Sequence, residues 1–93
     1  MGMRFEWDQR KAADNRTKHG VAFHEALTVF ADPLARIFDD EDHSQAESRE
    51  IIIGHSVQRR LLVVGFIERD GAVRIITARL ATKRERNDYE ENT

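Results

Sequence analysis

Apolar and polar residues alternate from Met3 to Trp7, the period of a short strand with one covered face. The period then changes. Asp8 can cap a helix running from about Gln9 to His19, and Gly20 can take the left-handed conformation that ends it. Phe23, Ala26, Leu27 and Phe30 recur at i, i+3, i+4 and i+7, which predicts a second helix with one buried stripe, closed at Asp32-Pro33. Ala35 to Phe38 reads as a brief strand, and residues 39–47 as a solvated acidic loop. Arg49 to His55 and Leu61 to Glu68 contain Ile51-Ile52-Ile53 and Leu61-Leu62-Val63-Val64, runs expected of strands covered on both faces. Asp70-Gly71 is a two-residue hairpin turn, and Val73 to Arg79 is the strand after it. Thr82-Lys83-Arg84-Glu85 matches a capping box and starts a final helix to about Glu90. The order β-α-α-β-β-β-β-α predicts an α+β fold: a small antiparallel sheet with two N-terminal helices and one C-terminal helix packed on it. Residues 3–91 are expected to form one domain, without repeat or linker.

Composition narrows the class. Of 93 residues, 40% are hydrophobic and 34% charged, the balance of a globular protein. No apolar run approaches membrane-spanning length, no signal-peptide pattern is visible, and a cytoplasmic location is the expectation. Without cysteine, disulfides and cysteine-ligated zinc are excluded. The net charge of -2 argues mildly against a nucleic-acid binder, but it hides an asymmetry. Residues 39–50 hold six acids and one arginine; the rest of the chain has fourteen Lys/Arg against eleven Asp/Glu, a balance of +3. A cationic cleft is therefore compatible with the acidic total.

The first helix offers such a surface. Lys11, Asn15 and Lys18 fall at i, i+4 and i+7 on one face, with His19 at its end and no acid in the stripe. That pattern suits phosphate, although cations in a last helical turn are also explained by the helix dipole.

Over nearly its whole length the chain resembles the BrnT family of small bacterial toxins. The matching residues are Phe5-Glu6-Trp7-Asp8, Lys11, Asn15, Lys18-His19-Gly20-Val21, Phe23-His24-Glu25-Ala26 and Phe30-Ala31-Asp32-Pro33. They continue with His43-Ser44, Glu47, Arg49, Ile53-Gly54, Arg60-Leu61-Leu62-Val63, Arg74-Ile75-Ile76-Thr77-Ala78-Arg79, Glu85, Arg86 and Tyr89. Their order and spacing carry the likeness. It implies a RelE-like ribonuclease fold and the toxin of a type II toxin–antitoxin pair, cutting RNA to halt translation without metal or cofactor. It also implies a BrnA-like antitoxin, a small DNA-binding protein that blocks the toxin and links it to operon DNA. One departure stands out: Arg59 lies where the family tends to have a turn glycine.

Metal-free RNA cleavage needs a group to take the 2′-hydroxyl proton, one to protonate the leaving 5′-oxygen, and positive charge on the phosphorane. Lys18, His19, Arg49, Arg79 and Tyr89 are the catalytic candidates, and Lys11, Asn15, Glu47 and Arg86 the RNA-binding ones. Alternation puts Val73, Ile75, Thr77 and Arg79 on one strand face, so Arg79 would end that face as a phosphate fork. The alternative is a rim arginine paired with an acid of the last helix. A histidine can act as acid or base near neutral pH, which recommends His19. Glu47 and Arg49 share a strand face as either a clamp or an exposed ion pair. Tyr89 could stack on a base or donate a proton, or only pack its helix onto the sheet. Asp39-Asp40-Glu41-Asp42-His43 lacks the glycine and spacing of a calcium loop and reads as solvated charge. Trp7 reads as a core anchor, and His24 and His55 as ordinary surface residues. The competing function is a non-catalytic interaction module on the same scaffold; a DNA-binding regulator is disfavoured for want of a strongly basic helix.

Overall fold

The structure is a computed structural model that describes residues 3–42 and 48–91. Its elements are β1 (Arg4–Glu6), α1 (Gln9–His19), α2 (Phe23–Ala26), a 3₁₀ segment (Leu27–Ala31), β2 (Arg36–Asp39), β3 (Glu50–His55), β4 (Leu61–Arg69), β5 (Ala72–Leu80) and α3 (Lys83–Glu91). The five strands form one sheet in the order β1-β5-β4-β3-β2.

Local chemistry accounts for the helix ends. The Asp8 carboxylate accepts from the N–H groups of Arg10 (2.8 Å) and Lys11 (3.2 Å), and these bonds hold its pKa below the usual value. Gly20 ends α1 at φ 68°. The second helix does not run through to Phe30 as its stripe predicts. Thr28 donates its hydroxyl to the Glu25 carbonyl (2.6 Å) and accepts the Val57 N–H (2.9 Å). This competing bond to the i−3 carbonyl accompanies a tighter 3₁₀ winding after Ala26.

The sheet is mixed, not the purely antiparallel meander the strand order suggests. β2 through β5 are antiparallel neighbours, but β1 pairs parallel to β5, with Phe5 opposite Val73. β1 covers only Ala72 to Arg74. Farther along that edge, α1 covers the strand instead. Asn15 donates to the Ala78 carbonyl (2.8 Å) and accepts the Ala78 N–H (3.0 Å), as a neighbouring strand would.

Two apolar clusters lie on opposite faces. The larger, under α1, α2 and the 3₁₀ segment, contains Phe23, Leu62, Val64, Phe66 and Ile75. Phe30 joins it through edge-to-face contacts with Phe5 (5.1 Å) and Phe66 (5.0 Å). Trp7 packs edge-on to Phe23 and His24, a core anchor as expected. The smaller cluster, under α3, holds Ile53, Leu61, Val63 and Tyr89. The apolar runs of β3 and β4 are thus covered on both faces.

A bulge changes the reading of β5. Gly65 pairs with Thr77 and Phe66 with Ile75, so Ile76 is an extra residue. Simple alternation puts Val73, Ile75, Thr77 and Arg79 on one face. Across the bulge the parity reverses: Val73, Ile75 and Ala78 belong to the larger cluster, while Thr77 and Arg79 turn to the α3 side.

The Ser56–Arg60 hairpin holds its shape without the glycine. Arg59 sits at φ 63°, with its N–H on the Ser56 carbonyl (2.9 Å). A left-handed non-glycine residue costs about 1–2 kcal/mol, partly offset by the greater unfolded freedom glycine would bring. Arg59→Gly is therefore expected to stabilise the chain by about 0.5–1 kcal/mol in urea denaturation. A lower midpoint with an unchanged slope would refute this.

Candidate functional site

Two hollows open on the sheet, one under α3 and one beside α1. The first, about 430 Å³, is floored by Ile51, Ile53 and Val63 and edged by Arg36, Phe38, Arg79, Glu85 and Tyr89. Arg79 reaches it because the Ile76 bulge turns the strand. Its guanidinium forms two parallel bonds to the Glu85 carboxylate, Nη1–Oε1 at 2.8 Å and Nη2–Oε2 at 2.9 Å. Glu85 also completes the capping box, accepting from the Thr82 N–H (2.8 Å) while the Thr82 hydroxyl accepts from Glu85 N–H (3.1 Å). The Arg79 bonds, helped by Thr82 and opposed by burial, hold the Glu85 pKa at about 2. The structure thus realises the pairing of Arg79 with an acid of the last helix.

Tyr89 is buried against the sheet, its hydroxyl 3.3 Å from both Asp32 Oδ2 and the Leu34 carbonyl. Burial and the neighbouring Asp32 charge push its pKa up, so the phenol keeps its proton at neutral pH. His55 stacks edge-on to the Tyr89 ring at 5.5 Å and donates its backbone N–H to Asp32 (2.7 Å). Burial pushes the Asp32 carboxyl up, but the N–H bonds from His55 and Leu34 and the Tyr89 hydroxyl outweigh it and hold the group ionised.

The second hollow, about 270 Å³, lies between α1 and the sheet. Lys11, Asn15, Lys18, His19 and Arg49 line it with Asp14, Ile76 and Thr77. Among the described residues it therefore gathers three Lys and Arg side chains and one carboxylate. The helix stripe does carry an acid at its margin: Asp14, one turn before Lys18. Asn15, the middle of the stripe, faces inward. It is 6% exposed, and its amide is engaged by the Val21 carbonyl (2.9 Å) and both backbone groups of Ala78.

The two hollows have no lining residue in common, but successive strand positions link them. Thr77 lines the second and Arg79, the next residue on that face of β5, lines the first, about 7 Å farther along by strand geometry. Arg49, just before β3, and Ile51 within it are likewise two residues apart, and Gly65 between Ile51 and Thr77 has no side chain to divide the two. The structure thus groups Lys11, Lys18, His19 and Arg49 in one place and Arg79 with Tyr89 in the next. Arg86 is exposed on α3 and lines neither hollow. Glu47 and His43 lie outside the described residues.

Sequence reasoning missed three groups. Arg36 and Phe38 enter the first hollow from β2. Asp32 anchors Tyr89, although in the sequence it stood only as a helix end and one of the residues of the resemblance. Glu25, 5% exposed, accepts from Arg60 through Nε (2.9 Å) and Nη2 and from the Ser56 hydroxyl (2.7 Å). The Arg60 bonds, against the cost of burial, hold the Glu25 pKa below its ordinary value. Arg60 also reaches the Gly20 carbonyl (3.3 Å) at the end of α1. A charge beside an apolar helical stripe was the available signal, but its partner is 35 residues away.

Among the described residues no helix is long and apolar enough to cross a membrane. No curated protein matches the sequence. The crystal structure of the Brucella abortus ribonuclease toxin BrnT is similar over 88% of this chain and all of its own, at 25% identity and a TM-score of 0.68. The model of the family described as the ribonuclease toxin BrnT of type II toxin–antitoxin systems matches residues 7–85, most of the chain. With sheet, helices and sequence in agreement, the chain belongs to the BrnT family of ribonuclease toxins.

Proposed function

We propose that this chain cleaves RNA without a metal ion and so stops translation in the cytoplasm, on a scaffold of the RelE-like type. A BrnA-like antitoxin, which carries the contact with operon DNA, neutralises it. The observation that carries this reading is the excess of positive charge in the hollow beside α1. The 2′-oxygen attacks phosphorus as its proton leaves, the P–O5′ bond breaks, and the 5′-oxygen gains a proton. Lys11, Lys18 and Arg49 stabilise the charge that builds on the phosphorane. His19, exposed at the end of α1 beside these cations, exchanges protons with the substrate. Arg79, held by Glu85, lines the hollow next to it and faces the substrate beside that phosphate.

The test is cleavage of a single-stranded RNA by the purified chain in excess chelator. Cleavage should persist, and Lys18→Ala should slow it by on the order of tenfold to a hundredfold. An intact substrate with the folded wild type would overturn the proposal. The second reading, a non-catalytic interaction module, draws on two observations: Glu85 occupies Arg79, and the Tyr89 hydroxyl is engaged with Asp32 and Leu34. That reading expects tight antitoxin binding with no RNA loss when the chain alone is induced in cells.

A further inference from the structure

We propose that the hollow between β2, β3, β4 and α3 is a subsite for an unpaired RNA base beside the scissile phosphate; this rests on the ribonuclease reading above. At about 430 Å³ it falls within the size range of small-ligand sites. Ile51, Ile53 and Val63 give it an apolar floor. Phe38 stands at its edge on β2 and is 53% exposed, so part of its ring is open to a ligand in the hollow. An exposed ring on a sheet is the surface on which single-stranded bases stack.

Charge separates this hollow from its neighbour. Arg36 and Arg79 line it together with Glu85 and Asp88, so the charge of its described lining is balanced. Glu85, with its pKa at about 2, stays ionised on Arg79 wherever RNA binds. A phosphate coming to this place would meet a carboxylate already seated on the arginine. A neutral base would meet an apolar floor with charged donors and acceptors at its rim, the arrangement that reads a base edge. The phosphate belongs instead to the hollow of Lys11, Lys18 and Arg49, where cations outnumber the acid. Because the two adjoin across Thr77 and Gly65, one nucleotide can occupy both. The subsite makes Phe38 and Arg36 the residues that set which base flanks the cut.

The experiment is an NMR titration of the full chain with dinucleotides that are 2′-deoxy at the attacking position and so cannot be cleaved. One set carries each of the four bases, and a matched ligand is abasic. Base-bearing ligands should shift the amide signals of Phe38, Ile53 and Val63 as well as Thr77, whereas the abasic ligand should shift Thr77 and Lys18 alone. Phe38→Ala should weaken the base-bearing ligands about tenfold and leave the abasic one unchanged; Arg36→Gln should change the ranking of the four bases. Equal shifts at Phe38 from the abasic ligand, or equal weakening of both classes by Phe38→Ala, would overturn the subsite. A chain that cuts RNA while these signals stay silent also overturns it and leaves the ribonuclease reading intact. Base-dependent shifts in a chain that never cuts RNA keep the subsite and defeat the ribonuclease reading.

Discussion

Asn15→Ala is expected to cost about 4 kcal/mol of folding stability, far beyond the value for an ordinary helix-surface residue. The Asn15 amide makes three bonds, donating to the carbonyls of Val21 (2.9 Å) and Ala78 (2.8 Å) and accepting the Ala78 N–H (3.0 Å). All three partners are backbone groups, and Val21 and Ala78 are fully buried. Removing the amide strands them, and each buried unsatisfied group costs about 1–3 kcal/mol, reduced where water can enter. Asn15→Asp tests the same claim at almost constant volume. It keeps the acceptor for Ala78 N–H but sets a carboxylate against two carbonyl oxygens, so it should destabilise at least as much at neutral pH. Thr17→Ala, exposed on the same helix, should stay within about 0.5 kcal/mol and serves as the reference. Urea denaturation measures all three. A loss below about 1 kcal/mol for Asn15→Ala would mean that α1 does not close the β5 edge through this residue.

Asn15 also shows where legibility ended. Its spacing with Lys11 and Lys18 was correct, and so were the caps Asp8 and Gly20 that bound the helix. Helical spacing says which residues share a face but not what that face lies against. Here its middle lies on a strand edge 63 residues away, so Asn15, which also lines the hollow beside α1, spends its amide on the fold. The same limit applies to Arg79. Strand alternation is a local rule, and the extra residue Ile76 reversed it, with only Gly65 on the partner strand as a hint. The parallel seat of β1 beside β5 has no local signature at all. What could be read was what depends on neighbours in sequence: the Asp70-Gly71 turn, both residues at positive φ; the capping box of Thr82 and Glu85; and the two-sided apolar runs of β3 and β4. The likeness to the toxin family supplied the reason to look for a phosphate, and the surplus of cations beside α1 supplied the place.

The second large effect is expected for Arg60→Met, about 3 kcal/mol at neutral pH. Glu25 is 5% exposed, and Arg60 answers its charge through two nitrogens while remaining partly in solvent itself. Removing one partner of such a pair leaves a buried, uncompensated carboxylate, a loss of about 3–5 kcal/mol when both are fully enclosed and somewhat less here. The Ser56 hydroxyl alone would remain, a neutral donor of 2.7 Å reach. The dependence on pH distinguishes this cause from lost packing. In the wild type the folded Glu25 pKa lies below its ordinary 4.5, so its contribution is present above that value and lost as pH falls through the folded pKa. In Arg60→Met the largest downward cause is gone, burial dominates, and the folded pKa rises above the unfolded one. Protonation then relieves the variant as pH falls, while the same fall weakens the wild type. The stability gap between the two must therefore narrow from pH 7 toward pH 4, and Glu25→Gln combined with Arg60→Met must remove most of that dependence. A gap that stays constant over this range would assign the loss to the missing contact with Gly20 and to side-chain packing, and not to the charge of Glu25.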